Sequence, residues 1–205
     1  GIDLKEVRVV SDDHDAIVAA AKVLSSTYDH VFTSGGIGPT HDDITADCIA
    51  AAFDVPIDVR DDARALLHAH YDRSGQELNA ARLRMARIPN GAVLIDNPVS
   101  TAPGFTLQNV HVMAGVPSVF QAMVASVLPT LTGGAPLISR SLRVMRGEGD
   151  IAGPLRTFSE TFGDLSVGSY PFQKDGLYGA NVVVRGTDAA RLDSAMDALS
   201  EIFGS

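Results

Sequence analysis

Positive charge is scarce in this chain: 16 Lys and Arg stand against 25 Asp and Glu, for a net charge of −9 and a pI near 4.9. Tracking a nucleic-acid backbone takes clustered Lys and Arg, so nucleic acid is excluded as the main partner. Cysteine is reduced to Cys48, which excludes an intramolecular disulfide. That residue lies among alanines, the setting of a small buried thiol and not of a nucleophile. No apolar run approaches the ~20 residues that a membrane-spanning helix needs, so a cytoplasmic location without a membrane partner is expected. Tryptophan is absent and aromatic residues make up 6% of the chain, and no aromatic pair marks a ring-binding pocket. The chain opens on Gly1 and not on Met, with no charged-then-apolar leader, as in a fragment or a processed terminus.

What is present is enough for a real core. With 205 residues and 45% hydrophobic content, one large domain or two small ones are expected. The most informative stretch runs from Val31-Phe32-Thr33-Ser34 through Gly35-Gly36-Ile37-Gly38 into Pro39-Thr40-His41-Asp42-Asp43-Ile44-Thr45. A β-branched run breaks into glycines that turn tightly and approach a ligand without interference from a Cβ. Thr40 reads as the N-cap of the following helix, with Asp43 three residues on and Ile44, Ile49 and Phe53 on its buried face. A strand, a glycine loop and a helix start together make an anion site.

The loop lacks the lysine of a phosphate-binding P-loop, and its two carboxylates repel a bare phosphate. Three readings stay open for Asp42 and Asp43. They hold a divalent cation such as magnesium, they accept from ligand N–H or O–H groups, or they only stabilise a helix N-terminus.

Along the chain, Val7 to Val10 reads as a strand, Asp12-Asp13 as a helix opening and Ala16 to Leu24 as a helix. Val31 to Ser34, a helix to Phe53 and an extended Val55 to Ile57 follow, a rhythm that implies a mainly parallel sheet covered on both faces. Asp61 to Arg73 and Glu77 to Ala86 read as helices, and Arg60, Arg64, Arg73, Arg82, Arg84 and Arg87 as a solvated face. His68 and His70, two residues apart, face different sides of a helix and make a poor metal pair. Ala92 to Ile95 and Val110 to Ala114 read as strands. The second enters Gly115-Val116-Pro117-Ser118 and a helix to Leu128. Ligands of open parallel sheets lie outside the carboxyl ends of strands, so the loops at Asp12, Gly35 to Asp43, Asn97 to Gly104 and Gly115 to Ser118 are expected to converge. After the linker at residues 131–136, strand, helix, two strands and helix form a βαββα unit with a hairpin tip at Tyr170 to Gly176.

The segment Ser34 to Thr45, with Asn97-Pro98 through Ala102-Pro103-Gly104-Phe105 and Ala114-Gly115-Val116-Pro117-Ser118, resembles the molybdopterin-binding domain of molybdenum-cofactor biosynthesis proteins. Its spacing is most similar to the competence/damage-inducible protein A (CinA) branch, and it is also similar to the domain preceding FAD synthase in eukaryotes. The resemblance covers residues 1 to about 130. It implies a three-layer α/β/α domain at 1–132 and a KH-like α+β unit at 137–205. A family strand and acidic loop resembling Gly-Asp-Glu have no counterpart before Ile2, and Ser100 stands where the family has glycine, narrowing the loop or adding a hydroxyl.

By that resemblance, Ser34, Gly35, Gly36, Gly38, Thr40, Thr45, Asn97, Gly104, Gly115, Pro117 and Ser118 are ligand-binding. The resemblance implicates Asp12 and Asp43 in ligand or metal chemistry; the leading expectation adds Asp42 to them as catalytic, with Asp42 and Asp43 positioning magnesium, manganese or cobalt. The implied ligand carries a phosphate and a ring: a pterin, FAD or ADP-ribose. The leading expectation is a metal-dependent pyrophosphatase, and the rivals are a non-catalytic molybdopterin-binding module and a partner-binding scaffold. A homo-oligomer is expected.

Overall fold

The computed structural model of the chain describes residues 1–174 and 176–204. It divides into two compact units, Lys5–Leu131 and Thr132–Ser205 together with Gly1–Leu4.

In the first unit, Asp13 starts α1 (His14–Thr27) by accepting the Ala16 N–H at 2.8 Å. Its far end closes on Asn109, whose amide donates to the Ser25 and Tyr28 carbonyls at 2.9 and 2.8 Å. There follow β1 (Val31–Ser34), α2 (Thr45–Ala52), β2 (Ile57–Val59), α3 (Asp61–Ser74) and α4 (Ala80–Leu83). β3 (Arg87–Pro89), β4 (Val93–Ile95), β5 (Gly104–Leu107), β6 (Val110–Met113) and α5 (Pro117–Val127) complete the unit.

The main sheet has the order β1-β6-β5-β4, with β2 and β3 a separate antiparallel pair. β1 runs parallel to β6, with Val31 opposite Val110 and Ser34 opposite Met113. The α/β class expected from the rhythm of strands and helices holds, but the described sheet is mixed. β5 is antiparallel to both β6 and β4. The Gln108-Asn109 turn, with Gln108 at φ 53°, is too short for anything but an antiparallel return. Alternation along β6 then builds two cores. Val110 and Val112 join Ala21, Ile49, Leu67 and Phe105 on one face, and Met113 joins Val119, Met123 and Val127 of α5 on the other. Each large apolar side chain so buried contributes about 1.5–3 kcal/mol.

Two expected elements differ. Val7 to Val10 is not a strand: Val7 is 75% and Val9 95% exposed, because no described strand runs alongside to offer a ladder or a core. Glu6 is instead held by Arg8 and by the Tyr28 hydroxyl at 2.8 Å. The helix expected over residues 77–86 starts late, where the Asn79 side chain accepts the Arg82 N–H at 3.0 Å. It then tightens into a 3-10 turn at Arg84–Ala86 and passes directly into β3.

On β6, His111 is 3% exposed. Its Nδ1 lies 2.9 Å from Thr106 Oγ1 on the neighbouring strand, and its Nε2 lies 3.4 Å from His30 Nδ1. Burial, and then His30, push its pKa from 6.5 down to about 4. The unfolded chain therefore binds the extra proton first. This contribution to stability is complete above pH 6.5 and is lost as pH falls through 4, the loss amounting to about 3 kcal/mol. Urea unfolding at pH 7 and pH 4.5 should show a smaller acid loss for His111→Leu than for the parent chain. An equal loss in both would refute the assignment.

The second unit consists of β7 (Ile138–Val144), α6 (Glu148–Thr161), β8 (Ser166–Lys174), β9 (Leu177–Gly186) and α7 (Ala189–Phe203), the βαββα order expected. Its antiparallel sheet, ordered β7-β9-β8, packs Val144, Val182 and Val184 against Ile151, Phe158, Leu192 and Leu199 of the helices. The expected hairpin tip joins β8 to β9, and its Asp175 lies outside the described residues. Among the described residues, no helix is long and apolar enough to cross a membrane.

Candidate functional site

Parallel pairing sets the carboxyl ends of β1 and β6 side by side, and each ends in a glycine bend. The two bends touch through their backbones. A Cβ built on Gly115 would lie 3.1 Å from the Gly35 Cα, and Gly35, at φ +103°, donates its N–H to the Met113 carbonyl at 2.9 Å. The antiparallel β5 starts at the same end with Gly104, where a Cβ would lie 2.2 Å from the Val112 carbonyl oxygen. Three of the expected loops, 35–43, 97–104 and 115–118, thus share one end of the sheet. Ser34, Gly115, Pro117 and Ser118 are exposed there, and Pro117 opens α5 without needing an N–H partner. Asp12 is exposed ahead of α1, where its neighbour Asp13 does the capping.

The glycine loop folds back on α2. The Gly36 carbonyl accepts the Thr45 N–H at 2.9 Å. Thr40 is not the N-cap: α2 starts at Thr45, after Ile44, with no side-chain cap. Thr40 closes a tight turn instead. Its N–H and hydroxyl donate to Asp43 Oδ2 at 2.8 and 2.6 Å, and Asp43 also accepts from the Gly38 N–H. Burial alone would raise the Asp43 pKa, but these loop hydrogen bonds outweigh it and hold the carboxyl below its usual range. Asp42 is exposed beside His41, 3.8 Å from its Nδ1. Thr40 and local backbone hydrogen bonds lower its pKa too. The two neighbours therefore differ in kind: Asp43 braces the loop and Asp42 faces solvent. Among the described residues, no three His, Cys, Asp or Glu side chains gather into a metal-holding group.

Asn97 is 3% exposed and holds its own loop. Its amide donates to Ser100 Oγ at 2.7 Å and the Ala102 carbonyl at 2.8 Å, while its carbonyl accepts the Val99 and Ser100 N–H groups. All four of its hydrogen-bonding positions are filled, so the Asn97 side chain has none left for a ligand. Cys48 is 0% exposed, and burial raises its pKa to about 11, in keeping with an unreactive thiol. His68 pairs with Asp72 at 2.7 Å and His70 meets Tyr71 edge-on, so the two do not share a site.

A narrow cleft with room of about 20 Å³, enough for bound water, opens beside the loop, lined by Gly38, Asp43, Asp47, Arg84, Arg87 and Pro103 among others. Here the solvated-face reading of the arginines is corrected for two of the six. Arg60 pairs with Asp62, Arg64 with Asp61, and Arg82 lies over the Tyr71 ring at 4.5 Å. Arg84 and Arg87, by contrast, turn into the cleft because the 3-10 turn breaks the helix that would have carried them outward. Arg87 pairs with Asp47, and Arg84 Nη2 donates to the Asp43 carbonyl at 3.4 Å. The Nε atoms of both are buried and have no hydrogen-bond partner. Sequence spacing carries no signal for this pair, since it depends on where the helix ends.

Residues 1–133 match the family described as a probable molybdopterin binding domain, and residues 136–205 match the middle domain of FAD synthase. A protein of Pyrobaculum arsenaticum is 34% identical over 180 residues, covering 83% of this chain and 68% of its own length. A CinA-like protein of Shewanella sediminis is 31% identical over 214 residues, covering 98% of this chain and 48% of its own. A Caldivirga maquilingensis protein is 36% identical over 135 residues, and the match spans 52% of that protein, so the chain corresponds to about half of some of its relatives. A solved structure, the protein CinA of unknown function from Thermoplasma acidophilum, superposes with a TM-score of 0.52 at 35% identity, over 58% of this chain and 72% of that one.

Proposed function

The chain belongs to the molybdopterin-binding domain family, and from that premise we propose that its glycine loop binds the phosphate of a pterin or nucleotide and that the site hydrolyses the diphosphate of ADP-ribose or FAD. The observation that carries the phosphate reading is the contact between the Gly35 and Gly115 bends, which brings backbone from two strand ends to one point, on the loop that continues to Gly38 and Asp43. The match of residues 136–205 to the FAD synthase middle domain favours a nucleotide.

The residues present suit a cation shared with a ligand and not an all-protein cage. Asp42 offers an exposed carboxylate, and Mg²⁺ is commonly held by one or two carboxylates plus substrate phosphates. When bound there, magnesium, manganese or cobalt would supply Lewis-acid polarisation of the phosphoryl oxygen. The chain's own part is positional. Asp43 keeps the loop in shape by tying Gly38 to Thr40.

Purified chain incubated with ADP-ribose or FAD and each of the three metals is expected to release AMP. The engagement of Asp43 in loop bonds favours a second reading, a non-catalytic molybdopterin-binding module. Retained binding without turnover would select it. Absence of all binding to phosphate ligands would end both.

A further inference from the structure

We infer that the helix-free face of the β7-β9-β8 sheet in the second unit is a stacking platform for single-stranded nucleic acid, built on Tyr170 and Phe172 and served by Arg143 and Arg185. This goes beyond the reading of the glycine loop and does not depend on it.

The first observation is where charge is placed. Excess acid over the whole chain argues against nucleic acid as its main partner, yet the three strands of this sheet contain no Asp or Glu at all. Elsewhere arginines pair with carboxylates: Arg60 with Asp62, Arg87 with Asp47, Arg191 with Asp164. Arg140, on the helix side of β7, meets Asp193 of α7 at 3.5 Å. Arg143 and Arg185 are different. Among the described residues neither has a carboxylate partner, and each lies against an aromatic ring instead.

The second observation is the geometry of the rings. Val144, Val182 and Val184 point into the core under the helices, so alternation turns Arg143, Asn181 and Arg185 to the other face. Tyr170 stands opposite Asn181 and Phe172 opposite Gly179, on that same face. Both rings lie along the sheet because glycine leaves the floor bare. A Cβ on Gly179 would lie 2.6 Å from Phe172 Cζ, and one on Gly168 would lie 3.3 Å from Tyr170 Cε2. The exposed Arg143 covers the Phe172 ring at 4.4 Å and offers its guanidinium plane outward. Arg185 sits toward the edge of the Tyr170 ring, 5.7 Å from its centre, with Nη2 donating to the hydroxyl at 3.1 Å, and Tyr170 stays 48% exposed. An open ring beside an open guanidinium plane is what unstacked bases stack on, with the cations set to meet the phosphates. Ser139 and Ser141 fill the β7 side of the face. Serine is depleted in protein–protein interfaces, which favours nucleic acid over an acidic protein.

The test is fluorescence anisotropy of a labelled oligothymidylate of about ten nucleotides titrated with the full chain, beside a duplex of the same length and a polyglutamate peptide. The single strand should bind, and more tightly than either. With the two arginines meeting two phosphates, raising salt from about 50 to about 200 mM should weaken binding about sevenfold, and Arg143→Gln or Arg185→Gln should cut that salt effect to about threefold. Tyr170→Ala should weaken binding by about 10- to 100-fold. Tyr170→Leu, which keeps apolar bulk and loses the flat face, should do the same and serves where Tyr170→Ala fails to fold. Absence of single-strand binding at low salt would overturn the platform, as would duplex binding of equal strength or parent-like affinity in the Tyr170 variants. Polyglutamate bound as tightly as the oligonucleotide would overturn it in favour of an acidic protein surface.

Discussion

Replacing Asp43 with Ala should weaken phosphate binding at the glycine loop while the fold persists. The carboxylate accepts three hydrogen bonds, from the Gly38 N–H, the Thr40 N–H and the Thr40 hydroxyl, and so ties the two ends of the turn together. These bonds lie within the chain, so their loss acts on affinity by leaving the loop to be ordered on binding, and affinity for ADP-ribose or pyrophosphate should fall by about 10- to 100-fold. The stability cost should be about 1–3 kcal/mol, because the turn lies outside both cores. Both Thr40 donors meet the same oxygen, Oδ2, so Asp43→Asn with its amide oxygen there should recover part of the binding. The pH dependence has a definite sign. The folded pKa lies below the ordinary 3.8, so the brace is complete above that value and is lost only as pH falls through the lowered one. Calorimetry on the two variants and the parent at pH 7 decides the matter. Undiminished affinity in the Ala variant would show that the loop does not depend on its carboxylate.

Gly36→Ala should be strongly damaging to the site. Gly36 has φ +72°, and a Cβ there would lie 2.0 Å from Thr45 Oγ1 and 3.0 Å from Thr45 Cβ. Thr45 is β-branched, buried and at the first turn of α2, so it cannot swing aside without moving the helix start. The left-handed backbone adds about 1–2 kcal/mol, and the clash adds about 1–3 kcal/mol of overpacking. Gly91→Ala is the control: its φ is +80° but nothing lies within 4 Å of the new methyl, so only the backbone cost of about 1–2 kcal/mol applies. Urea unfolding should place Gly36→Ala well below Gly91→Ala, and only the former should lose ligand. Equal destabilisation would mean that the loop yields freely to Thr45.

The comparison of sequence with structure turns on how local each signal is. Gly35 to Gly38 after a β-branched run announces its strand, bend and helix from adjacent residues, and the βαββα order of the second unit is legible for the same reason. The pairing of β1 with β6 is non-local, yet the rule for ligand sites at strand ends brought Gly35 and Gly115 together correctly. Thr40 and Asp43 misled because a threonine and an aspartate three apart satisfy either a helix cap or a turn. Only the true start of α2 at Thr45 separates the two. β5 was hidden because it is four residues long and opens on glycine, which reads as loop. Arg84 and Arg87 were placed on a solvated face because the helical period was continued past Leu83, where the chain in fact tightens. Val7 to Val10 has strand composition, but composition supplies no neighbour.

The contact between Gly35 and Gly115 has a mechanical consequence. Main chain meets main chain there with no intervening side chain to act as a cushion. A shift of one bend is therefore passed straight to the other, main chain to main chain. The two sides are not equivalent: a methyl on Gly115 would press on the Gly35 Cα at 3.1 Å, whereas one on Gly35 would rest 3.9 Å from the Gly115 Cα.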